Sequence, residues 1–246
     1  MIIGSNLLFF ENLPSTNTYT ISILKKNNLP EGTIVYTNYQ SAGRGQTGNR
    51  WESEDSKNLL ISILLFPSFL NPADQFYISM TISLGICDFI TRFIPDCYIK
   101  WPNDIYVNND KIAGILLESS ITGNQIEYTV AGIGLNINQE KFPGVLPNPV
   151  SLRLLSGLNY DLKSCLDQLG TDLDKRYKQL IAGQLAQIKD EYVSKLYKLN
   201  KWIKFKDVSG TYTGRILTIS EYGRLQIERQ NGILSEYSFK EVEFIL

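Results

Sequence analysis

The alternation of apolar and polar residues divides the chain into strand-like and helix-like stretches. Leu7–Glu11, the β-branched and aromatic run Thr33–Tyr39, and the apolar run Leu59–Phe66 predict three β-strands. Between the first two lies a helix, capped near Ser15 and running through Tyr19, Ile23 and Leu24. A polar, glycine-rich stretch from Gln40 to Asn58 precedes the third strand, and loops of such length are usually functional. Pro72–Ile94 has helical spacing, with Phe76, Met80, Leu84 and Cys87 on one side. From Tyr98 to Ile137 the pattern is β: Ile105–Val107 and Lys111–Ser119 flank the turn Asn108-Asn109-Asp110, and Thr122–Asn124 turns the chain into Gln125–Ile137. The proline-rich loop Phe142–Pro149 leads to two helices, Leu162–Ile181 and Gln184–Leu199.

After Asn200 only short alternating strands follow: Trp202–Val208, Tyr212–Ile219, Arg224–Arg229, Ile233–Phe239 and Val242–Leu246. Turns fall at Ser209-Gly210, Glu221–Gly223 and Asn231-Gly232. The pattern predicts an α+β body over residues 1–199 and a small SH3-like β-barrel over 200–246.

Composition narrows the chemistry. The formal charge of −1 gives no electrostatic footprint for nucleic acid, so DNA is not expected as a partner. The start Met1-Ile2-Ile3 carries no basic segment, and no apolar run approaches the ~18 residues of a membrane span. Cys87, Cys97 and Cys165 form no CxxC pair and read as small core residues, in keeping with a cytoplasmic protein. The chain has no histidine, which removes Ser-His-Asp and Cys-His dyads, histidine metal sites and the commonest neutral-pH base. Catalysis must come from lysine, arginine, carboxylates, amides and backbone N–H groups.

Three clusters carry such groups. In Gly43-Arg44-Gly45-Gln46-Thr47-Gly48-Asn49-Arg50-Trp51 the glycines match the dinucleotide fingerprint G-x-G-x-x-G. That fingerprint needs a helix directly after it and an acidic residue about 20 positions on, and neither is present. What remains is an arginine-bearing loop whose backbone can close around an anion, or equally a solvated surface loop. The second cluster is Lys100-Trp101-Pro102-Asn103-Asp104 with Lys111-Ile112-Ala113-Gly114. Lys111 starts a strand, the usual place for a solvated edge charge, while Gly114 permits close backbone approach in mid-strand. The third cluster, Ala131–Asn138, reads equally well as a bulged sheet edge.

The order and wording of these clusters resemble the biotin protein ligases. Ser15-Thr16-Asn17, Tyr39–Gly45, Trp51, Lys100–Asp104, Lys111–Gly114 and Gly132–Asn136 follow one another as that family's motifs do. The resemblance implies a class II tRNA-synthetase-like catalytic domain, a mixed sheet with helices, followed by an SH3-like domain. It implies that biotin is activated with ATP and Mg2+ and transferred to a lysine of a biotin carboxyl carrier protein or carboxylase subunit. It leaves room for a homodimer.

Carried over by position, the resemblance makes Ser15, Thr16, Asn17, Gln40 and Gly114 part of the biotin pocket. Gly43, Arg44, Gly45 and Gln46 belong to the loop that folds over biotin and its adenylate. Lys111 meets the biotin carboxylate and the α-phosphate, Arg44 assists, and Asp104 stands near the incoming lysine. Arg50, Trp51, Lys100, Asn103 and Asn136 serve the nucleotide. Two departures stand out: many members have arginine at the place of Gln46, and often a basic residue at that of Asn49. The helix-turn-helix module of some bacterial members is not expected. The rivals are a lipoate ligase, whose acid lacks a ureido group, a biotin-responsive DNA-binding repressor, and an adaptor built on the SH3-like module.

Overall fold

The computed structural model describes residues 1–24, 28–46, 48–144 and 148–245. Thr47 of the glycine loop, residues 145–147 of the proline-rich loop and Leu246 at the end of the last expected strand lie outside the described residues.

Strand β1 (Leu7–Leu13) leads through α1 (Thr16–Leu24) to β2 (Ile34–Gln40) and β3 (Leu59–Leu65). After α2 (Phe76–Ile90) come the short β4 (Tyr98–Lys100) and β5 (Asp104–Val107), then the long hairpin β6 (Asp110–Thr122) and β7 (Gln125–Leu135). These strands form one sheet in the order β1-β2-β3-β7-β6-β5-β4. Only β1 and β2 are parallel, joined by the α1 crossover; the other neighbours run antiparallel. The edge-strand reading of Ala131–Asn138 is therefore corrected. β7 is hydrogen-bonded on both sides, and its glycines serve the face of the sheet rather than a bulge.

Side-chain alternation assigns the two faces. Leu59, Ile61, Ile63 and Leu65 of β3 join the main apolar core, while Ser62 between them reaches the start of α1. The core face is covered by α2 and α4 (Leu162–Ile181). The α2 helix is buried all round except at Tyr77 and Asp88, and Gly85 lets α4 approach, since a Cβ there would lie 2.7 Å from Leu173. The expected single helical span begins instead with a separate 3₁₀ turn, Pro72–Asp74, capped by Asn71. All three cysteines are buried and free, and Cys87 and Cys97 meet with their sulfurs 3.0 Å apart.

A short helix that the sequence pattern did not suggest, α3 (Leu152–Ser156), is capped by Ser151 and closed by Gly157 at φ 75°. Helix α5 (Leu185–Ser194) stops before the expected Leu199. The chain there leaves the helix to pair backbone groups, Ile99 with Leu196 and Leu199 with Ile216. The last segment forms β8 (Ile203–Asp207), β9 (Gly210–Ile219), β10 (Leu225–Arg229), β11 (Leu234–Tyr237) and β12 (Glu243–Ile245). They make a five-stranded antiparallel sheet, ordered β11-β10-β9-β8-β12. It packs on the larger body through Trp101, whose indole N–H donates to Gly223 O at 2.9 Å, and through Phe239 against Trp101 and Phe76.

Candidate active site

The floor of the site is set by register. Gly114 of β6 lies directly opposite Gly134 of β7, and Leu116 opposite Gly132. Trp51 lies on this pair of glycines: a Cβ at Gly134 would stand 2.2 Å from its indole, and one at Gly114 2.9 Å. At Gly132 a Cβ would stand 2.4 Å from Asn17 Oδ1. Each glycine thus makes room for a specific side chain above the sheet.

Over this floor the glycine loop forms a hairpin, with Trp51 N–H donating to Gly43 O at 3.1 Å and Gly45 N–H to Asn49 O at 2.8 Å. The chain then runs to β3 without a helix, as the rejection of the dinucleotide fingerprint requires. The start of α1 closes the other side. Ser15, Thr16 and Asn17 are buried there, and Ser15 Oγ faces the Thr18 N–H at 3.5 Å.

A buried polar network fixes the amides of this wall. Asn17 Oδ1 only accepts, so it takes the single proton of Ser62 Oγ at 2.5 Å. Thr16 Oγ1 lies 2.7 Å from Ser62 Oγ and gives its own proton to Gln40 Oε1 at 3.0 Å. Gln40 Oε1 is held by the Thr16 N–H at 2.8 Å. The Gln40 amide nitrogen is consequently turned toward the cleft beside Gly43. The Asn17 amide is spent internally, donating to Leu116 O at 3.2 Å and Glu118 Oε2 at 2.9 Å. Asn17 therefore builds the wall, while Gln40 offers donors to a ligand.

Two clefts meet at this point. The first takes in Ser15, Thr16, Asn17, Gln40, Arg44, Gly45, Gln46, Asn103 and Gly114; the second takes in Lys100, Tyr106, Asn136 and Phe142. Asn49, Arg50, Trp51, Asp104 and Lys111 line both. At the junction Lys111 Nζ pairs with Asp104 at 2.7 Å and lies 5.6 Å from the centre of the Trp51 ring. Lys111 is paired rather than a free edge charge.

Lys100 Nζ bonds Tyr106 Oη at 3.1 Å and lies over the Tyr106 and Phe244 rings. Burial lowers its pKa, Asp104 opposes the shift, and Lys111 adds to it. Asn136 donates from Nδ2 to Val150 O at 2.9 Å, and its buried Oδ1 has no partner among the described residues. The buried Trp51 Nε1 is likewise without one.

Most residues singled out in the sequence are brought together here, with differences of role. Gly43 is not part of the cleft wall; it abuts Trp51 O, which a Cβ would meet at 2.3 Å. Asn103, expected beside the nucleotide, lines the first cleft, and its side chain donates to Ile115 O at 2.7 Å. Arg44 is held by Glu118, with Nη2 3.0 Å from Oε1 and Nη1 3.2 Å from Oε2. Ser62 and Glu118 were missed. A lone hydroxyl inside the apolar run Leu59–Leu65 was a signal for Ser62; nothing in the pattern set Glu118 apart from other strand carboxylates.

Residues 9–136 match the model of the Biotin/lipoate A/B protein ligase family. The chain belongs to this family. It is 30% identical to the bifunctional ligase/repressor BirA of Bacillus spizizenii over 96% of its length and 74% of that protein's. It is also 30% identical to the biotin–[acetyl-CoA-carboxylase] ligase of Paracoccus denitrificans, over 68% of this chain and 72% of the relative. Among solved structures, the biotin protein ligase of Aquifex aeolicus in complex with biotin and ATP superposes with a TM-score of 0.80. It shares 26% identity, covering 97% of this chain and 98% of that one. Both the sheet with its helices and the five-stranded C-terminal unit have counterparts there. Within the family the chain is thus a biotin protein ligase. Among the described residues, no helix is long and apolar enough to cross a membrane.

Proposed function

We propose that biotin lies over the Gly114–Gly134 floor, that ATP lies beside Lys100 and Asn136, and that the two react at Lys111. The observation that carries this reading is the sharing of Arg50, Trp51, Asp104 and Lys111 by both clefts. The carboxylate of one substrate must reach the α-phosphate of the other at a single place. Residues 1–199 form the catalytic unit in this reading, with 200–246 packed on it through Trp101.

The Gln40 amide nitrogen and the Ser15 hydroxyl are suited to the ureido carbonyl, which accepts. In the first step a biotin carboxylate oxygen attacks the α-phosphorus. The bond to the β-phosphate oxygen breaks, and pyrophosphate leaves. Both reactants are anions. Lys111 has three donors and can hold both oxygens without releasing Asp104, while Arg50, which has no side-chain partner among the described residues, adds a second charge. A unit charge pair at ~4 Å is worth about 4 kcal/mol at an effective dielectric near 20, so one lysine matters greatly.

Magnesium would fit as an ion carried on the ATP phosphates, and the buried Asn136 Oδ1, without a partner among the described residues, would be an oxygen free to help hold it. Among the described residues no group of three or more Cys, Asp or Glu side chains is arranged to hold it alone. When bound it screens phosphate charge. The biotinyl-5′-AMP formed is a mixed anhydride, and the hairpin over the cleft keeps water from it. In the second step the ε-amine of an acceptor lysine attacks the carbonyl carbon, an amide forms and AMP leaves. Asp104 accepts or orients the amine proton. The acceptor is a biotin carboxyl carrier protein or carboxylase subunit; the name of the Paracoccus relative gives acetyl-CoA carboxylase as the acceptor for that enzyme.

Lys111→Ala tests the assignment. Circular dichroism should be unchanged while biotin-dependent ATP–pyrophosphate exchange falls by orders of magnitude. Near-normal exchange in the folded variant would refute the role of Lys111.

A further inference from the structure

We infer that Glu118 is a positioning residue for the biotin step: it clasps the glycine-rich hairpin to the sheet through Arg44. The inference rests on the reading of the first cleft as the biotin site.

Gly114, Leu116 and Glu118 share one face of β6, because side chains two apart on a strand point the same way. The first two belong to the floor of the cleft, and Glu118 stands at the end of that row. Both of its carboxylate oxygens are engaged. Oε1 takes Arg44 Nη2 at 3.0 Å; Oε2 takes Arg44 Nη1 at 3.2 Å and Asn17 Nδ2 at 2.9 Å. A two-pronged guanidinium–carboxylate pair fixes direction as well as distance, which a lysine or a single bond would not. Arg44 Nη1 also lies 3.4 Å from Thr18 Oγ1 on α1.

The hairpin has two limbs, and they are anchored differently. Trp51 seats the second limb on the paired glycines. Backbone bonds from Trp51 to Gly43 and from Gly45 to Asn49, which flank the facing pair Arg44 and Arg50, hold the limbs to each other, not to the floor. At its base the first limb is bonded at the end of β1, Ser41 N–H to Leu13 O and Ala42 N–H to Pro14 O; beyond that point it reaches the sheet through Arg44 and Glu118. The same carboxylate that ties the limb also holds the Asn17 amide, so the hairpin and the polar wall share one anchor. In Glu118→Gln the side-chain oxygen still accepts from Asn17. Its amide nitrogen, however, faces guanidinium donors and the charge is gone, so the clasp is lost while the wall is kept.

The test uses the full chain and follows the KM for biotin and kcat in biotin-dependent ATP–pyrophosphate exchange. Glu118→Gln is expected to raise KM for biotin about tenfold, the factor carried by ~1.4 kcal/mol. With saturating biotin, kcat is expected to stay within about twofold, the mark of a lost binding contribution. In an Arg44→Gln background the same substitution should add nothing, because the clasp is already open. A wild-type KM in folded Glu118→Gln overturns the inference. So does an equal effect in both backgrounds, which would mean that Glu118 acts only through Asn17. If Glu118→Gln does not fold, Arg44→Gln alone probes the clasp from the other side, and an unchanged KM there overturns it. Wild-type protein without biotin-dependent exchange would refute the assignment of the cleft itself. An active wild type with a flat Glu118 series refutes the clasp alone.

Discussion

Replacing Gly134 by alanine is expected to dislodge Trp51 and to weaken both substrates together. A Cβ at position 134 would lie 2.2 Å from Trp51 Cε2, and 2.6 Å from Cζ2 and Nε1. Carbon atoms pack at ~3.5–4.0 Å, so the indole must retreat by roughly 1.3 Å or more. The strand cannot give way instead, because β7 is paired with both β3 and β6 along this stretch. Overpacking of this kind typically costs ~1–3 kcal/mol, or about 5- to 150-fold in a binding constant. Trp51 lines both clefts, so the KM values for biotin and for ATP should rise together in pyrophosphate exchange.

Gly132→Ala is the contrast. Its Cβ would press on Asn17, which lines the first cleft and not the second, so KM for biotin should rise while that for ATP holds. Intrinsic fluorescence gives a second reading, since Trp101 is buried and Trp202 sits apart on the surface. The emission shift in Gly134→Ala should vanish when Trp51 is also changed to Phe. A folded Gly134→Ala with both KM values and the emission of wild type would refute the reasoning.

Two further outcomes are expected. Gln46 lines the first cleft and offers a neutral amide at the place where the resemblance puts arginine in many family members. A bond from a charged donor is worth ~1.5–3 kcal/mol, so Gln46→Arg should slow release of labelled biotinyl-AMP by about 10- to 150-fold, and equal or faster release would sink the idea. In the C-terminal sheet the Asp207 carboxyl is held down to about 2, first by the Ser209 hydroxyl and also by Tyr237 and Arg229. A lowered acid pKa gives stability that is full above the ordinary value of 3.8 and is lost as pH falls toward about 2. The gap in urea midpoint between wild type and Asp207→Asn should therefore close across that window, and a gap independent of pH would contradict the assignment.

The elements were largely legible because period and turn chemistry agree. Asn108 and Gly123 take positive φ where the two turns were expected, and α4 spans the expected Leu162–Ile181. The boundaries that failed depend on distant partners. Lys195–Leu199 keeps a helical pattern, yet its backbone is claimed by β4 and β9. Ala131–Asn138 looked like an edge because glycine is a poor strand former, and only the packing of Trp51 and Asn17 explains why glycine stands there. In the site, motif residues were visible as strings. Their roles depend on which atoms are already spent, and that is not written in the string. Asn17 and Asn103 look like ligand-reading amides but are bonded within the protein. Glu118 has no motif at all and is revealed only by where β6 places it.

Biotin-dependent ATP–pyrophosphate exchange by the purified chain, with lipoate as competitor, tests the central claim most directly. Exchange should require biotin, and lipoate should neither replace biotin nor inhibit it appreciably, since lipoate has no ureido carbonyl for Gln40 and Ser15 to hold. Exchange that proceeds without biotin, or as well with lipoate, would contradict the account.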